Sequence, residues 1–357
     1  MINPEQSGAP PDASARARTT RRPVALILAI VLLATGGFAG AADALRVVVI
    51  SDLNGSYGST DYEASVGRAV ARILELEPDL VISTGDMVAG QRRPHLTRAE
   101  VQRMWSAFHA EVSQPLDAAG IPLVVTPGNH DASAYPGFAQ ERDIFEQQWS
   151  KRPPSVSFLD KSGYPFQYAF ATGEVLFVSL DVTRLGPLAA DAMDWLRDLL
   201  AEHGARFKHR VVFSHLPLWP VAHGRETEHI GDPEMQAALE ELGIDLYLSG
   251  HHHAFYPGAK GGVTFIAQAC LGAGPRRLLG ASSRAPRGFT VVQFTDDALR
   301  ITALTGEDMA TSLDWNTLPP RISSPVSDLV RADLAGTAIP GNPGWIDAPA
   351  LRTDGDQ

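Results

Sequence analysis

Three runs constrain the fold of this chain more than any others: LRVVVISD (residues 45–52), PDLVISTGD (78–86) and IPLVVTPGNHD (121–131). Each is a short apolar stretch rich in β-branched residues that stops at a cluster of small and polar ones. Such runs read as strands buried on both faces, and strands of that kind sit in sheets covered by crossover helices. The intervening segments agree. EASVGRAVARILELE carries apolar residues at helical spacing, and TRAEVQRMWSAFHAEVSQPLDAAG reads as a long amphipathic helix opening on a Thr97 cap with Glu100 in its first turn.

After a further helix at GFAQERDIFEQQWSK the pattern changes. PFQYAFATGEVLFVSLD predicts two antiparallel strands joined at Thr172-Gly173-Glu174. Helix DAMDWLRDLLAEHG then leads to strand HRVVFSH, and helix PEMQAALEELG leads to strand IDLYLSGHHH. Short strands follow at GVTFIAQA, GFTVVQFTD and LRITALT. The expectation is an α/β body of two mixed sheets packed face to face with helices outside, its chemistry at the carboxyl ends of the strands. With 357 residues, 44% of them hydrophobic, the chain can fill one large core. Three regions are expected: a leader over 1–44, the α/β body over 45–305, and a Pro/Gly-rich tail over 306–357, wrapped on the surface or disordered.

The leader has a polar start, then Arg21-Arg22, then an 11-residue apolar core from Val24 to Ala34. That core is the length of a signal peptide's hydrophobic region and too short to span a bilayer, which takes about 20 residues. Small-residue patterns suited to cleavage follow at Ala39-Gly40-Ala41 and Ala42-Asp43-Ala44. The chain is therefore expected to be exported, to the periplasm or the outside. The alternative is an uncleaved anchor holding it to the membrane and facing outward, the one case in which a membrane partner is expected. The one cysteine, Cys270, can form no intramolecular disulfide and reads as a small buried hydrophobe. The formal charge of −11, without a lysine-rich run, argues against a nucleic-acid polymer as partner.

Five strand ends carry polar residues of one chemical kind: Asp52-Leu53-Asn54, Gly85-Asp86, Gly128-Asn129-His130-Asp131, His215 with Pro217, and Gly250-His251-His252-His253. Taken singly each is a turn or a capped loop. Together they place carboxylate, amide and imidazole groups on one rim, a donor set suited to Mn, Fe, Zn or Mg. A shared carboxylate such as Asp86 could bridge two ions, as in two-metal phosphatases. In an extended segment His251 and His253 project to the same side and His252 points away.

In their order, D-x-[H/N], GD, GNHD, H-x-P and GHxH, these motifs resemble the calcineurin-like metallophosphoesterases, relatives of purple acid phosphatases and cyclic-nucleotide phosphodiesterases. The resemblance runs from Leu45 to Thr305. It implies a four-layer α/β/β/α sandwich and two divalent metal ions. One ion would be held by Asp52, the residue at 54, Asp86 and His253, the other by Asp86, Asn129, His215 and His251. His130 would stand over the phosphate as donor to the leaving oxygen, with Asp131 orienting it. The implied reaction is hydrolysis of a phosphomonoester or phosphodiester on a small phosphorylated substrate, by in-line attack of a hydroxide between the ions.

One position departs from the pattern. The usual histidine of the first motif is Asn54. Three readings follow: Asn54 binds through its amide oxygen, a neighbour such as Tyr57 or Tyr62 supplies a replacement ligand, or the site is degenerate and the protein binds without turnover. The readings carried forward are thus an exported phosphoesterase, a narrower nucleotide or cyclic-nucleotide phosphodiesterase, and a catalytically silent metal-binding envelope protein. His223 and His229 in PVAHGRETEH, and Tyr57, are candidates for substrate contact. Arg276-Arg277 either clamps a phosphate or covers a turn, and Trp219 and Tyr256 either wall the pocket or pack beneath it. His95, His109, His203 and His209 read as solvated surface residues.

Overall fold

The strand–helix rhythm of the sequence becomes two stacked sheets. The structure, a computed structural model, describes residues 44–341 apart from 273, 296 and 297. The leader ahead of residue 44 and the last residues of the chain, 342–357, lie outside the described residues. In chain order the strands are β1 (Leu45–Ile50), β2 (Leu80–Ser83), β3 (Leu123–Val125), β4 (Ser157–Gly163), β5 (Gln167–Thr172), β6 (Val175–Ser179), β7 (His209–Phe213) and β8 (Leu246–Ser249). They continue with β9 (Tyr256–Lys260), β10 (Val263–Ala267), β11 (Gly288–Phe294), β12 (Leu299–Thr305), β13 (Thr311–Ser312), β14 (Arg321–Ser323), β15 (Asp328–Arg331) and β16 (Ile339–Pro340).

The first sheet runs β13-β12-β11-β1-β2-β3, with β16 also on β12; β1, β2 and β3 are mutually parallel. The second runs β14-β15-β9-β10-β8-β7-β6-β5-β4, with a parallel centre of β6, β7, β8 and β10. Side-chain alternation on β1 shows how the layers stack. Val47 and Val49 join the core between the sheets with Phe170, Phe177 and Phe213, whereas Val48 and Ile50 face a second core with Ile73, Trp105 and Trp149 from the helices. On the far side of the second sheet, Leu196, Leu199 and Met235 cover it from helices Ala190–His203 and Pro233–Glu241. The result is the expected four-layer α/β/β/α sandwich of two mixed sheets.

Helix Ala64–Leu76 buries Val66, Ala69, Val70, Ile73 and Leu76, one stripe at 3.6-residue spacing. Helix Arg98–Phe108 opens on the expected cap, a reciprocal box in which Thr97 Oγ1 accepts from Glu100 N and Glu100 Oε2 accepts from Thr97 N. It passes through a π turn at His109–Ser113 before continuing over Gln114–Ala118. His109 departs from the sequence expectation. It is buried among Trp105, Phe108 and Trp149, with its ring nitrogens on Ser113 and Gln148. His95 is exposed, and His203 and His209 are half-buried.

Residues 306–341 do not form a surface tail. β15 pairs with β9 and β14 with β15, while β13 and β16 pair with β12, so this segment extends both sheets. Trp315, Ile322 and Leu329 enter the inter-sheet core. Arg331 fastens the turn by donating to the carbonyls of Trp315 (2.6 Å) and Leu318 (3.1 Å) and by pairing with Asp333. Among the described residues no helix is long and apolar enough to cross a membrane.

Candidate metal centre and cleft

The strand ends β1, β2, β3, β7 and β8 converge at one rim, and each contributes through the loop that follows it. The backbone there is unusual. Asp52 (φ 51°), Asp86 (57°), His251 (65°) and His253 (52°) all adopt left-handed conformations, uncommon for residues with a side chain and typical of functional loops. His251 and His253 therefore do not share a side by strand alternation. Their backbone turns so that His251 joins Asp86 and His215 while His253 turns to Asp52. The close approach of the loops needs glycine. A Cβ on Gly85 (φ 97°) would stand 2.7 Å from the main chain of Gly128, and one on Gly128 would strike Asp86.

Two donor groups result. In the first, His253 Nε2 lies 3.1 Å from Asp52 Oδ1, while its Nδ1 donates to the Gly274 carbonyl at 3.1 Å. Asp52 is fully buried and its other oxygen accepts from Ser51 Oγ at 2.6 Å. Asn54 is buried beside them, and its amide oxygen has no hydrogen-bond partner. In the second group, donor atoms of Asp86, His215 and His251 all lie within 4.8 Å of one another. His215 Nδ1 donates to Thr84 O at 2.8 Å, which aims Nε2 at Asn129 Oδ1 (2.9 Å) and Asp86 Oδ2 (3.3 Å). Asn129 is oriented in turn by donating from Nδ2 to Gln91 Oε1 at 2.9 Å.

This arrangement fits metal. Asn54 Oδ1 is a buried acceptor without a donor, and Asp86 Oδ2 has only the His215 ion pair at 3.3 Å, a costly state that a cation relieves. Around the second group a neutral His215 would present a lone pair to two oxygens, so three acceptors converge on one space. The electrostatics agree. Burial opposes a charge on Asp86, but the charges of His215 and His130 outweigh it and hold its carboxyl well below the usual range. Burial likewise opposes a proton on His215, yet Asp86 raises it to about 9: a proton stands in for the cation.

Glu228, which sequence reading did not select, completes this set. Its carboxylate lies 3.0 Å from His251 Nε2 and pairs with Arg225. The hydrogen bond from His251, against a smaller effect of burial, holds Glu228 down to about 2. A carboxylate behind a ligating imidazole fixes its tautomer and ring orientation. His252 is buried and structural, bonded to Val221 N and to the Glu228 carbonyl.

His130 stands on the rim with Nε2 3.9 Å from Asp86 Oδ2, its side chain 24% exposed. The expected partnership with Asp131 is not formed. Both oxygens of buried Asp131 accept main-chain N–H groups, from Gly128 (2.6 Å) and Met87 (2.8 Å), and His130 Nδ1 has no partner. Asp131 thus ties the second metal loop to the third. Burial, reinforced by the charge of Asp86, pushes its carboxyl up to about 7.

Above the rim opens a cleft of ≈ 920 Å³. Tyr57 and His223 line it, and the Tyr57 ring lies 5.2 Å from that of His130. His229 does not line it; it packs half-buried over Gly231. Tyr62 is committed elsewhere. Tyr62 is anchored by donating to the Met87 carbonyl at 2.9 Å, and burial raises both phenols above their ordinary range. Trp219 and Tyr256 pack beneath the site within the core.

Residues 45–255, more than half of the chain, match the family described as Calcineurin-like phosphoesterase. The chain belongs to this family. Purple acid phosphatase 18 of Arabidopsis thaliana is 31% identical over 160 residues, 43% of this chain and 35% of that protein. The chain thus aligns with about a third of that curated relative's length. Among solved structures, purple acid phosphatase PPD1 from yellow lupin superposes with a TM-score of 0.59 at 16% identity, over 76% of this chain and 53% of that one. A dimetal phosphatase from Danio rerio superposes with a TM-score of 0.53 at 17% identity, over 76% and 98%. These two likenesses establish the fold. The family and its purple acid phosphatase relatives indicate a dimetal centre.

Proposed function

We propose that this chain is an exported metal-dependent phosphoesterase that hydrolyses phosphomonoesters of small molecules. The observation that carries this reading is the buried cluster of Asp86, His215 and His251, with His130 Nε2 3.9 Å from Asp86 Oδ2 at the floor of an open cleft. The oxygen and imidazole donors suit Mn, Fe, Zn or Mg. Bound divalent ions there supply positive charge for the phosphoryl oxygens and a nucleophile at neutral pH.

The chain's own residues do the rest. Asp52, Asn54, Asp86 and His253 hold one ion, and Asp86, Asn129, His215 and His251 hold the other. Thr84, Gln91, Gly274 and Glu228 fix the orientation of those ligands. His130 carries a proton at Nε2 toward the leaving oxygen, a contribution typically about 10²–10⁴-fold. A purely structural metal site has no use for a non-ligand histidine in that place, which disfavours the silent envelope protein. The nucleotide reading lacks an aromatic clamp, because among the described lining residues Tyr57 is the one aromatic besides the histidines.

The dianionic charge of a monoester suits a cleft with four lining arginines, Arg225, Arg276, Arg277 and Arg284. The test is hydrolysis of an aryl phosphate and its bis-ester with added Mn²⁺, beside His130→Ala. Faster turnover of the monoester supports the proposal, and turnover of neither ester sinks it. Export rests on the apolar core Val24–Ala34 and the small residues after it. Amino-terminal sequencing of the mature protein from outside the cytoplasm is expected to begin at Ala42 or Leu45. An intact Met1 on a cytoplasmic protein contradicts it.

A further inference from the structure

The arginine wall of the cleft has features that hydrolysis of a simple monoester does not use. Among the described residues lining the cleft none is acidic, although the whole chain carries 41 Asp and Glu against 30 Lys and Arg. Arg225 is neutralised by Glu228. Arg276 and Arg277 make no ion pair among the described residues, and the Arg276 Nε is buried without an acceptor. Arg284 donates to the Pro275 carbonyl at 3.4 Å and makes no ion pair among the described residues. Half-buried guanidinium groups that no carboxylate pairs directly are costly unless an anion visits them.

The wall is also fixed relative to the metal ligands. His253 Nδ1 donates to Gly274 O at 3.1 Å and Arg276 N donates to His253 O at 3.2 Å, so the loop is hydrogen-bonded to a ligand in both directions. Arg277 O accepts from His223 N at 2.7 Å, and Arg277 forms an isolated antiparallel bridge with Arg284. The guanidinium groups thus stand on an ordered ribbon beside the metal centre.

We propose that Arg276, Arg277 and Arg284 form a second anion site, which takes a phosphate carried by the leaving group, so that the substrate class is a small bisphosphorylated molecule. This rests on the phosphoesterase reading above. One phosphoryl group sits at the metal ligands, and the other pairs with the guanidinium forks, whose planar donors match phosphate oxygens. The scissile step remains simple hydrolysis: water supplies oxygen to phosphorus, and the leaving oxygen departs with a proton, its own phosphate still attached.

The test is calorimetric titration of the full, Mn²⁺-loaded protein with methylphosphonate and with methylenediphosphonate, neither of which is hydrolysed. The second site predicts that Arg276→Gln/Arg277→Gln lowers the ratio of the diphosphonate to the monophosphonate affinity by about tenfold or more, the scale of one charge-assisted hydrogen bond. Arg284 is exposed, so Arg284→Gln is a milder variant and lowers the same ratio about threefold or more. A ratio unchanged in both variants overturns the second site. If the aryl esters are hydrolysed while the ratio is unchanged, the second site alone fails. If they are not hydrolysed while the ratio falls, the phosphoesterase reading fails and the anion site stands.

Discussion

His215 Nε2 and Asn129 Oδ1 face each other at 2.9 Å, and each is held from behind, the imidazole by Thr84 O and the amide by Gln91 Oε1. With Asp86 Oδ2 at 3.3 Å, this is a cradle for a cation. Removing the metal from loaded protein should therefore lower thermal stability. A ligand present at 100 times its Kd stabilises by about 2.7 kcal/mol, so chelator should shift the melting temperature down by several degrees. Differential scanning calorimetry with and without chelator checks this, and coincident melting curves would contradict it.

In the proposed first group Asn54 is the weak corner, where an amide oxygen would stand in for the imidazole that the family motif usually carries. An Asn54→His variant should bind its first metal about tenfold or more tightly, because imidazole is the better donor for Zn and Fe. Asn54→Ala should lose that affinity. Metal titration with a competing chelator reads both, and unchanged affinities would remove Asn54 from the ligand set.

Glu228 holds His251 through Nε2 at 3.0 Å. Glu228→Gln keeps the shape but removes the charge that anchors the ring, and should cost about 10–100-fold in metal affinity or activity. Affinity is measured by the same titration, and equal values in variant and wild type would leave Glu228 as a mere partner of Arg225.

His109 gives a pH effect remote from the metal centre. Burial, and the nearby charge of Arg152, lower it from 6.5 to about 4. Between those values the unfolded chain binds more protons than the folded one, so this contribution is complete above pH 6.5 and fades as pH falls toward 4. The loss is on the order of 3 kcal/mol across the window. His109→Gln can keep bonds to Ser113 and Gln148 without titrating, so denaturant unfolding from pH 7 to 4.5 should show a flatter decline in the variant. Parallel profiles would contradict it.

The layers and the rim were legible because β-branched runs ending in polar residues state both a buried strand and the chemistry at its end. Less legible was everything set by long-range placement. Gln91 and Glu228 sit in irregular loops without a motif, and their roles arise from what folds against them. Asp131 reads like a catalytic neighbour of His130, yet the loop turns it inward to two main-chain donors. The left-handed backbone at His251 and His253 defeats strand periodicity. The segment 306–341 hides its strands because they are two to four residues long and interrupted by Pro, Gly and Ser.

The most direct test of the account is the metal content of the purified, metal-loaded chain, by elemental analysis beside an Asp86→Ala control. Two donor groups sharing Asp86 predict a ratio near two metal ions per chain and loss of bound metal in the control. A ratio of one or less in the wild type, or metal retained in full by Asp86→Ala, would contradict it.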